Sequence, residues 1–533
     1  MASAMASWAL KMTTALALAA VGTVGGCERS PGAARAEAAD PAQLAAGLRD
    51  AVGSGDADAV RGLLAQGAEP NAATVEGTTA LMTAIHARDH DVMSALLEAG
   101  ADVRRTNRYG VDAMYVAALN GDAQAVRALL AAGADPDAAL PEGQTALMTA
   151  ARTGNAEIIT ALLEAGADGY SVNVNAHEGF LGQTALMWAT AAGHVEAMRA
   201  LIAAGANVDE HSWLIAAPEI AGDRSMGASW SQIPKGRLTA LHFAAREGQL
   251  EAARTLVAAG ADLNITDEYG STPLILATVN GHLDVAGALL EAGADPKIAD
   301  EWGRTAIFAA TDLHTLDALA RAHPRPDDAL TPVDIVRLAL EKGADPNVAL
   351  TKTLPDWIVV GGAHSPILRT GSTPLLRAAM SGDLAIMELL LAAGANPTLA
   401  TELRETNDAK GAGGMGDYGS GGTTPFLAAA GLGWRQTVSR GREEDAILAL
   451  QILMELGADV NQTNQAGDTA LHGATYRGSL AIMEFLLDHG ADPTAKNLTG
   501  WTPLDIALGQ PDPSYRIAPN PEAGALLRGH TRS

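Results

Sequence analysis

The sequence predicts an all-α repeat protein, a solenoid of stacked helix pairs joined by hairpin-like loops. The first observation is a short phrase, Gly-Ala followed by Asp, Glu or Asn, which recurs eleven times. The second is its spacing, which is 33 residues in five of the ten intervals and longer in the others. The third is that two helix-like patterns precede most copies, so the chain holds about eleven repeats with insertions. The phrase begins at Gly67, Gly100, Gly133, Gly166, Gly205, Gly260, Gly293, Gly343, Gly394, Gly457 and Gly490.

Each repeat is predicted to open with a short helix that a threonine caps. A threonine hydroxyl accepts a hydrogen bond from the first free backbone N–H groups, and a proline after it has the φ angle that a first helical turn needs. The phrase reads "TALM" at 79–82, 145–148 and 184–187, "TALH" at 239–242 and 469–472, and "TPL" at 272–274, 373–375 and 502–504.

A second helix follows in each repeat. In "DVMSALLEAG", residues 91–100, Val92, Met93, Leu96 and Leu97 recur at helical spacing. The closing glycine allows the left-handed conformation that ends a helix, and "ADP" or "ADV" then turns the chain outward.

The unit resembles the ankyrin repeat, and its clearest copy is "GDTALHGATYRGSLAIMEFLLDHGADPTAKN" at 467–497. The resemblance covers residues 43–509 and implies an ankyrin α-solenoid of helix-turn-helix units with β-hairpin-like loops. The first copy, 43–73, lacks the Thr-Pro-Leu-His phrase and suits an N-terminal cap, whereas 501–509 form a C-terminal cap half-repeat. Residues 423–509 also resemble the C-terminal halves of exported bacterial ankyrin-repeat proteins. Stacking of neighbours would supply the core, because one unit cannot bury its apolar face alone.

The first 26 residues are typical of an export signal, with Lys11 before a short apolar stretch and small residues after it. Cys27 is the only cysteine, and "TVGGC" resembles the lipobox of bacterial lipoproteins, in which the cysteine carries the lipid. One alternative is ordinary cleavage after Ala36, which would discard Cys27. Another is a frayed Ala-rich N-terminus in a cytosolic protein. A flexible linker over 27–42 would then lead to the solenoid, and a loose tail over 510–533 would follow it.

Six insertions interrupt the 33-residue period. Four follow a hairpin, near 169–181, 209–236, 348–370 and 398–421, and two separate the helices of one unit, near 314–332 and 431–442. Long loops of this kind are uncommon without a role. Their tryptophans either enlarge a binding face or anchor each loop on the stack, and both hypotheses stay open. These insertion aromatics are Trp213, Trp230, Trp357 and Trp434.

Arginine and aromatic residues mark a predicted partner-binding face. In an ankyrin unit, the residues before the hairpin glycine and those after the Ala-Ala of the first helix face a concave groove, so the resemblance implies that this face binds a partner protein. Arginine and large aromatic residues are the usual interface hot spots. Trp188 and Phe243 lie one position earlier and are expected to pack between helices. The predicted contact residues are Arg108, Tyr109, Arg152, Arg246, Tyr269, Trp302, Tyr476 and Arg477.

Net charge limits the kinds of partner. The chain has 62 acidic and 36 basic residues and a formal net charge of −26. Phosphate neutralisation needs a basic face, so we expect no nucleic-acid binding and no membrane contact other than through a lipid anchor.

Catalytic and metal motifs are poorly supported. "GAGGMG" at 411–416 matches a dinucleotide-binding pattern by letter, but it lacks the strand before it and the helix after it. His86 and His90 have metal-ligand spacing, yet they fall at the predicted turn between two helices. His194, His242, His282 and His472 fill structural positions of the repeat. We therefore expect no catalytic residues, no metal and no cofactor.

The sequence thus predicts a non-catalytic protein-protein interaction scaffold in the bacterial cell envelope, exported to the periplasm and anchored to a membrane through a lipid. The alternative is a small-molecule-binding or sensory module that uses the tryptophan-bearing insertions. An enzyme hidden in the insertions ranks third.

Overall fold

The computed structural model describes residues 40–167, 172–214, 236–315, 325–352, 370–403, 421–433, 441–509 and 519–531. This part of the chain forms twelve helix pairs. The pairs are α1 (Pro41–Ser54) and α2 (Ala57–Ala65), α3 (Ala80–His86) and α4 (His90–Glu98), α5 (Ala113–Asn120) and α6 (Ala123–Ala131), α7 (Ala146–Thr153) and α8 (Ala156–Ala167), α9 (Ala185–Ala192) and α10 (Val195–Ala203), α11 (Ala240–Glu247) and α12 (Leu250–Ala258), α13 (Pro273–Val279) and α14 (Leu283–Glu291), α15 (Ala306–Thr315) and α16 (Pro332–Glu341), α17 (Pro374–Met380) and α18 (Leu384–Ala392), α19 (Pro425–Ala430) and α20 (Glu443–Glu455), α21 (Ala470–Arg477) and α22 (Leu480–Asp488), and α23 (Pro503–Ala507) and α24 (Pro521–His530).

The pairs stack into two continuous layers. Every first helix packs against the first helix of the next pair, and every second helix packs against the next second helix. The main apolar core of the described residues lies between the layers and extends from Leu44 on α1 to Leu527 on α24. The predicted all-α solenoid is therefore confirmed, and each pair buries its apolar face on its neighbours.

Threonine caps open most first helices as the sequence predicts, whereas Asp40 and Asp112 cap α1 and α5. Thr79 Oγ1 accepts a hydrogen bond from the backbone N–H of Met82 at 3.1 Å, and proline takes the first helical position of α13, α17, α19 and α23. The loop before the helix closes as a single antiparallel bridge at three places, for example between Ala73 and Thr79. At these three places, the β-hairpin-like pairing of the loop is thus limited to a single bridge.

Two buried histidines join neighbouring units. His242 Nδ1 lies 2.9 Å from Thr239 Oγ1, and its Nε2 lies 3.2 Å from the carbonyl oxygen of Ser271 in the next unit. His472 bridges Thr469 and the carbonyl of Trp501 in the same way. The structural role that the sequence assigns to these positions is confirmed.

His194 and His282 immediately precede the second helices α10 and α14 and bond back to the preceding unit. His194 Nε2 lies 3.1 Å from the carbonyl oxygen of Arg152, and His282 Nε2 lies 3.0 Å from that of Arg246. These carbonyls end first helices, so the histidines satisfy acceptors that a helix C-terminus leaves open.

Asparagine and aspartate side chains form a ladder at the base of the loops. Asn71 Oδ1 accepts from the backbone N–H of Asp102 in the next unit at 2.7 Å, and Asn461 repeats the contact with Asp492 at 2.8 Å. Asn461 also donates through Nδ2 to the carbonyl of Gly490. Each such contact joins a unit only to its immediate neighbour.

Arg325 departs from this nearest-neighbour pattern. It precedes α16, yet its guanidinium donates to the carbonyl oxygens of Glu247 at 2.7 Å and Gly248 at 3.3 Å, at the end of α11. The contact reaches across the unit of α13 and α14. A cation at a helix C-terminus is electrostatically favourable, because the last carbonyls carry partial negative charge.

Both ends of the array differ from the predicted boundaries. Asp40 caps α1 and Pro41 is its first residue, so the helix begins inside the predicted linker. Residues 521–530 lie in the predicted loose tail but form α24, which Asn520 caps. Ala523 and Leu527 are fully buried against α22 and α23. The C-terminal cap is therefore a complete helix pair and larger than the predicted half-repeat, because α23 alone would leave this apolar surface exposed.

None of the helices in the described ranges is both long enough and apolar enough to cross a membrane.

Candidate functional site

The candidate site is the face made by the first helices and by the turns that precede them. We call it the first-helix face, and each turn on it a finger turn. Asn107 shows how such a turn is fixed, since its Oδ1 accepts from the backbone N–H of Tyr109 at 2.9 Å and of Val111 at 3.0 Å. Aspartate does the same at Asp267 and Asp300. A short side-chain acceptor therefore holds the exposed tip in one conformation.

Neighbouring finger turns are joined by backbone hydrogen bonds. The N–H of Arg108 donates to the carbonyl of Glu76 at 2.9 Å, and the N–H of Glu301 donates to that of Tyr269 at 2.8 Å. Where Pro141 lacks an N–H, its ring packs against Gly110 of the preceding turn, and a Cβ at Gly110 would lie only 2.4 Å from it. The tips thus form one connected edge.

Arg108 and Tyr109 lie together on the second finger turn, as predicted. Tyr109 is 45% exposed, and the Arg108 guanidinium lies 4.8 Å from the centre of its ring. Glu76 on the preceding turn is 4.0 Å from Arg108 at the nearest atoms. The two residues offer an exposed aromatic surface and a charged group to solvent.

Arg152 and Arg246 also lie over aromatic rings. The Arg152 guanidinium is 5.3 Å from the centre of the Trp188 ring on the neighbouring α9, and that of Arg246 is 4.8 Å from the centre of Phe243. Arg246 Nε also donates to Glu247 at 2.9 Å. Phe243 is buried, as predicted, while Trp188 is half-buried. A guanidinium that stacks on an aromatic ring is held in place by the ring, and the N–H groups at its edge can still donate hydrogen bonds.

Tyr269 is half-buried and retains its proton. Burial first, and the nearby carboxylates Glu301, Asp267 and Glu268 next, raise the pKa of its hydroxyl to about 12. Its ring lies 5.4 Å from that of Trp302 at an angle of 34°. Tyr269 is therefore a neutral aromatic group at physiological pH.

The structure corrects the expectation that Trp302 is an exposed contact residue. It is only 7% exposed, because its ring packs on Tyr269 and its turn is tied down by Asp300, which forms a buried ion pair with Arg304 at 2.9 Å. Burial raises the pKa of Asp300, an effect that Arg304 opposes. Trp302 supports the finger turn and offers a partner little surface.

Tyr476 and Arg477 end α21 and are both half-buried. Arg477 Nη2 donates to the carbonyl of Gly441 at 3.2 Å, and burial lowers the pKa of its guanidinium. A Cβ at Gly431 would lie 3.0 Å from that of Arg477. At this end of the face, packing within the chain takes up part of the predicted contact surface.

Trp213 is 47% exposed on the finger turn that precedes α11. Its ring stacks on His177 with centres 5.9 Å apart, and the backbone N–H of Trp213 donates to the carbonyl of Leu181 at 2.8 Å. The other insertion aromatics, Trp230, Trp357 and Trp434, lie outside the described residues, as do Cys27 and the glycine pattern at 411–416.

The two histidines with metal-ligand spacing separate at a turn. His86 is the last residue of α3, and His90 is the first of α4, where its Nε2 lies 2.8 Å from Asp122 Oδ2. Across the residues that the structure describes, no group of three or more His, Cys, Asp or Glu side chains is arranged to hold a metal ion.

Five exposed apolar residues of the described finger turns were not predicted as contacts. They are Val75, Phe180, Leu214, Leu403 and Leu498, and Phe180 and Leu214 are 74% and 49% exposed. The signal for Phe180 lies in the sequence "HEGFLGQT" at 177–184, where the finger turn has one residue more than "NRYG" at 107–110.

Family models of the ankyrin repeat match most of the helix pairs described above. Family models described as "Ankyrin repeats (3 copies)" match residues 48–139, 117–212 and 225–300, and "Ankyrin repeats (many copies)" matches 453–507. The model "Ankyrin repeat" matches 370–402.

Similar curated proteins come from animals and plants. Ankyrin repeat and SOCS box protein 11 of Danio rerio is 34% identical over 148 residues, which are 28% of this chain and 40% of that protein. Ankyrin repeat and SOCS box protein 16 of Mus musculus is 30% identical over 227 residues, 40% of this chain and 42% of that protein. Potassium channel AKT1 of Oryza sativa subsp. indica is 40% identical over 68 residues, 13% of this chain and 7% of that protein. This chain thus spans less than half the length of these relatives.

Among solved structures, the crystal structure of the human ASB11 ankyrin repeat domain is 28% identical, with a TM-score of 0.38. The match covers 47% of this chain and 98% of that one.

Proposed function

This chain belongs to the ankyrin-repeat family, and on that premise we propose that it is a non-catalytic scaffold that binds a partner protein along the first-helix face. Ankyrin repeats generally serve as protein-protein interaction modules. The observation that carries the proposal is the row of exposed side chains on joined finger turns and helix ends, which includes Arg108, Tyr109, Arg152 and Trp213. Arginine and large aromatic residues supply most hot spots of protein interfaces.

The rigidity of the face supports the same proposal. Side chains such as Asn107 fix each turn, and backbone hydrogen bonds join one turn to the next. A surface that is ordered before binding loses little conformational entropy on docking. Modest contacts on several units can therefore add up to useful affinity.

The location in the cell is a further part of the proposal. The apolar stretch before Cys27, with its Gly-Gly exit, supports export from a bacterial cytoplasm and attachment of a lipid to Cys27. The partner would then be a protein of the cell envelope. Mass measurement of the mature protein tests this, because a diacylated N-terminal Cys27 supports the anchor, whereas an N-terminus at Glu37 refutes it.

Partner binding is tested by crosslinking and capture from the native envelope. The variant Tyr109→Ala, Arg152→Ala and Tyr269→Ala removes three side chains of the first-helix face. A matched control removes three exposed side chains of second helices, Arg127, Arg199 and Leu448.

We expect a stoichiometric partner that wild type and control retain and that the triple variant loses. A partner that the triple variant still retains would refute binding along this face and favour the alternative in which the insertion tryptophans form a ligand pocket. The absence of any stoichiometric partner would refute the scaffold.

A further inference from the structure

The finger turn at 178–182 differs from the turns that Asn107, Asp267 and Asp300 hold. At 178–182 the turn has an extra residue, and Glu178 takes the place of the shorter Asn or Asp. Its buried carboxylate accepts three backbone N–H groups, from Phe180 at 2.7 Å, Leu181 at 2.8 Å and Gln183 at 3.0 Å. The longer side chain spans the longer turn, so the enlarged tip is held as firmly as the short ones.

This firmly held tip presents apolar side chains to solvent. Phe180 is largely exposed, and Trp213 and Leu214 on the next turn are each about half exposed. The backbone N–H of Trp213 donates to the carbonyl of Leu181, and a Cβ at Gly182 would lie 2.1 Å from the Trp213 ring. The two tips are therefore in close contact. Exposed aromatic groups that are already ordered are typical of interface anchors.

Beside this tip, Arg152 near the end of α7 and Trp188 on α9 carry donors that lack acceptors among the described residues. α9 begins directly after the turn and bears Trp188, over which the Arg152 guanidinium lies. Among the described residues, no acceptor bonds the Arg152 guanidinium or the buried Nε1 of Trp188. The carboxylate of Glu178 is already used by backbone groups.

We propose that Phe180, Trp213, Leu214, Trp188 and Arg152 form a docking subsite for a segment of the partner protein in which bulky apolar residues alternate with Asp or Glu. The apolar side chains pack on the two tips, and a carboxylate binds the Arg152 guanidinium. Charge-assisted hydrogen bonds to arginine are among the strongest polar contacts. The inference rests on the proposed scaffold function and adds the chemistry of its partner.

Charge complementarity distinguishes this partner from others. A basic segment would bring its cations to an unpaired arginine, although the net charge of −26 would attract it elsewhere on the chain. Packed helices lie about 10 Å apart and an extended chain rises about 3.3 Å per residue, so a peptide of about twelve residues spans the two tips and both neighbouring units.

The probe is a fluorescein-labelled peptide of about twelve residues with alternating Asp and Leu or Phe, titrated by anisotropy against the full chain at an ionic strength of about 0.15 M, where remote charges are screened. One comparison peptide replaces Asp with Lys, and another replaces the apolar residues with Ser. The test variants are Phe180→Ala and Arg152→Gln. The matched controls are Leu498→Ala, on a distant exposed finger turn, and Arg199→Gln, on a second helix.

We expect the acidic-apolar peptide to bind more tightly than both comparison peptides, and each test variant to weaken it about tenfold, a size typical of hot-spot residues. The controls should bind like the wild type. Circular dichroism and hydrogen exchange over 177–184 verify that the variants stay folded.

Three results would overturn the subsite. They are tighter binding of the Lys peptide, binding that neither test variant weakens, and no binding up to about 1 mM. Capture of the native partner separates this failure from failure of the scaffold. A partner that Phe180→Ala and Arg152→Gln both retain, but that the triple variant loses, refutes the subsite and leaves the proposed function intact.

Discussion

Acid should loosen the contact that His242 makes between two units. The side chain is fully buried, and desolvation, with smaller contributions from the nearby His211 and Arg246, lowers its pKa from 6.5 to about 4. In the unfolded chain the ordinary pKa of 6.5 returns. Between these values the unfolded state binds more protons than the folded state, so stability is complete above about pH 6.5 and falls as the pH drops towards 4.

The size of the effect follows from the two pKa values. At pH 5 the unfolded histidine is almost fully protonated while the folded one is mostly neutral, which costs about 2 kcal/mol of unfolding free energy relative to pH 7.5. The variant His242→Met removes the titrating group. Methionine suits the site, because Met82, Met148 and Met187 occupy the same position in other units and are buried there. Loss of the hydrogen bond to Ser271 should cost about 1 kcal/mol at pH 7.5.

The assay compares wild type and His242→Met by urea unfolding at both pH values, with hydrogen exchange over 240–279 as the local readout. Local measurement matters because long repeat arrays need not unfold in one step. Carboxylates with raised pKa values, such as Asp267 nearby, titrate in both proteins and cancel in the comparison. The wild type should lose about 2 kcal/mol more than the variant between pH 7.5 and pH 5. Equal losses would refute the argument that His242 is held neutral by burial.

Two further substitutions test the packing of the first-helix face. Gly182→Ala should destabilise the chain by about 1–3 kcal/mol more than Gly100→Ala, since both glycines have positive φ but only a Cβ at Gly182 meets the Trp213 ring; urea unfolding measures both, and equal costs would contradict the contact. Arg377→Met should lower the free energy of unfolding by about 3 kcal/mol, because this fully buried guanidinium bonds Asp312 at 2.7 Å. Hydrogen exchange over 306–315 measures the loss, and unchanged exchange would contradict a stabilising role of the ion pair.

The repeated elements could be predicted from sequence because each rests on a local rule. Thr79 caps α3, and the glycine after a second helix ends it, whatever the rest of the fold. α24 was missed although Asn520 and Pro521 are good start signals, because the proline-rich segment before them indicates a tail. Its place is set by burial of Leu527 against distant helices, which no local pattern reports.

Exposure of individual site residues was harder to predict. Tyr109 and Trp302 occupy the same position of the finger turn, yet one is exposed and the other buried. The difference depends on the neighbouring turn, where Tyr269 packs on Trp302. Phe180 was not predicted because Glu178 stands where Asn or Asp is expected. The extra residue is visible in the sequence, but only the hydrogen bonds of Glu178 show that it enlarges the tip of the turn.

Arg325 gives the array a mechanical property that stacking alone would not. In a stack joined only through adjacent units, a force applied to the ends would detach one unit at a time. Because Arg325 ties the end of α11 to the start of α16, the unit of α13 and α14 is enclosed between two units that are also joined to each other. The three would resist tension as one block and yield together, in a single longer extension step.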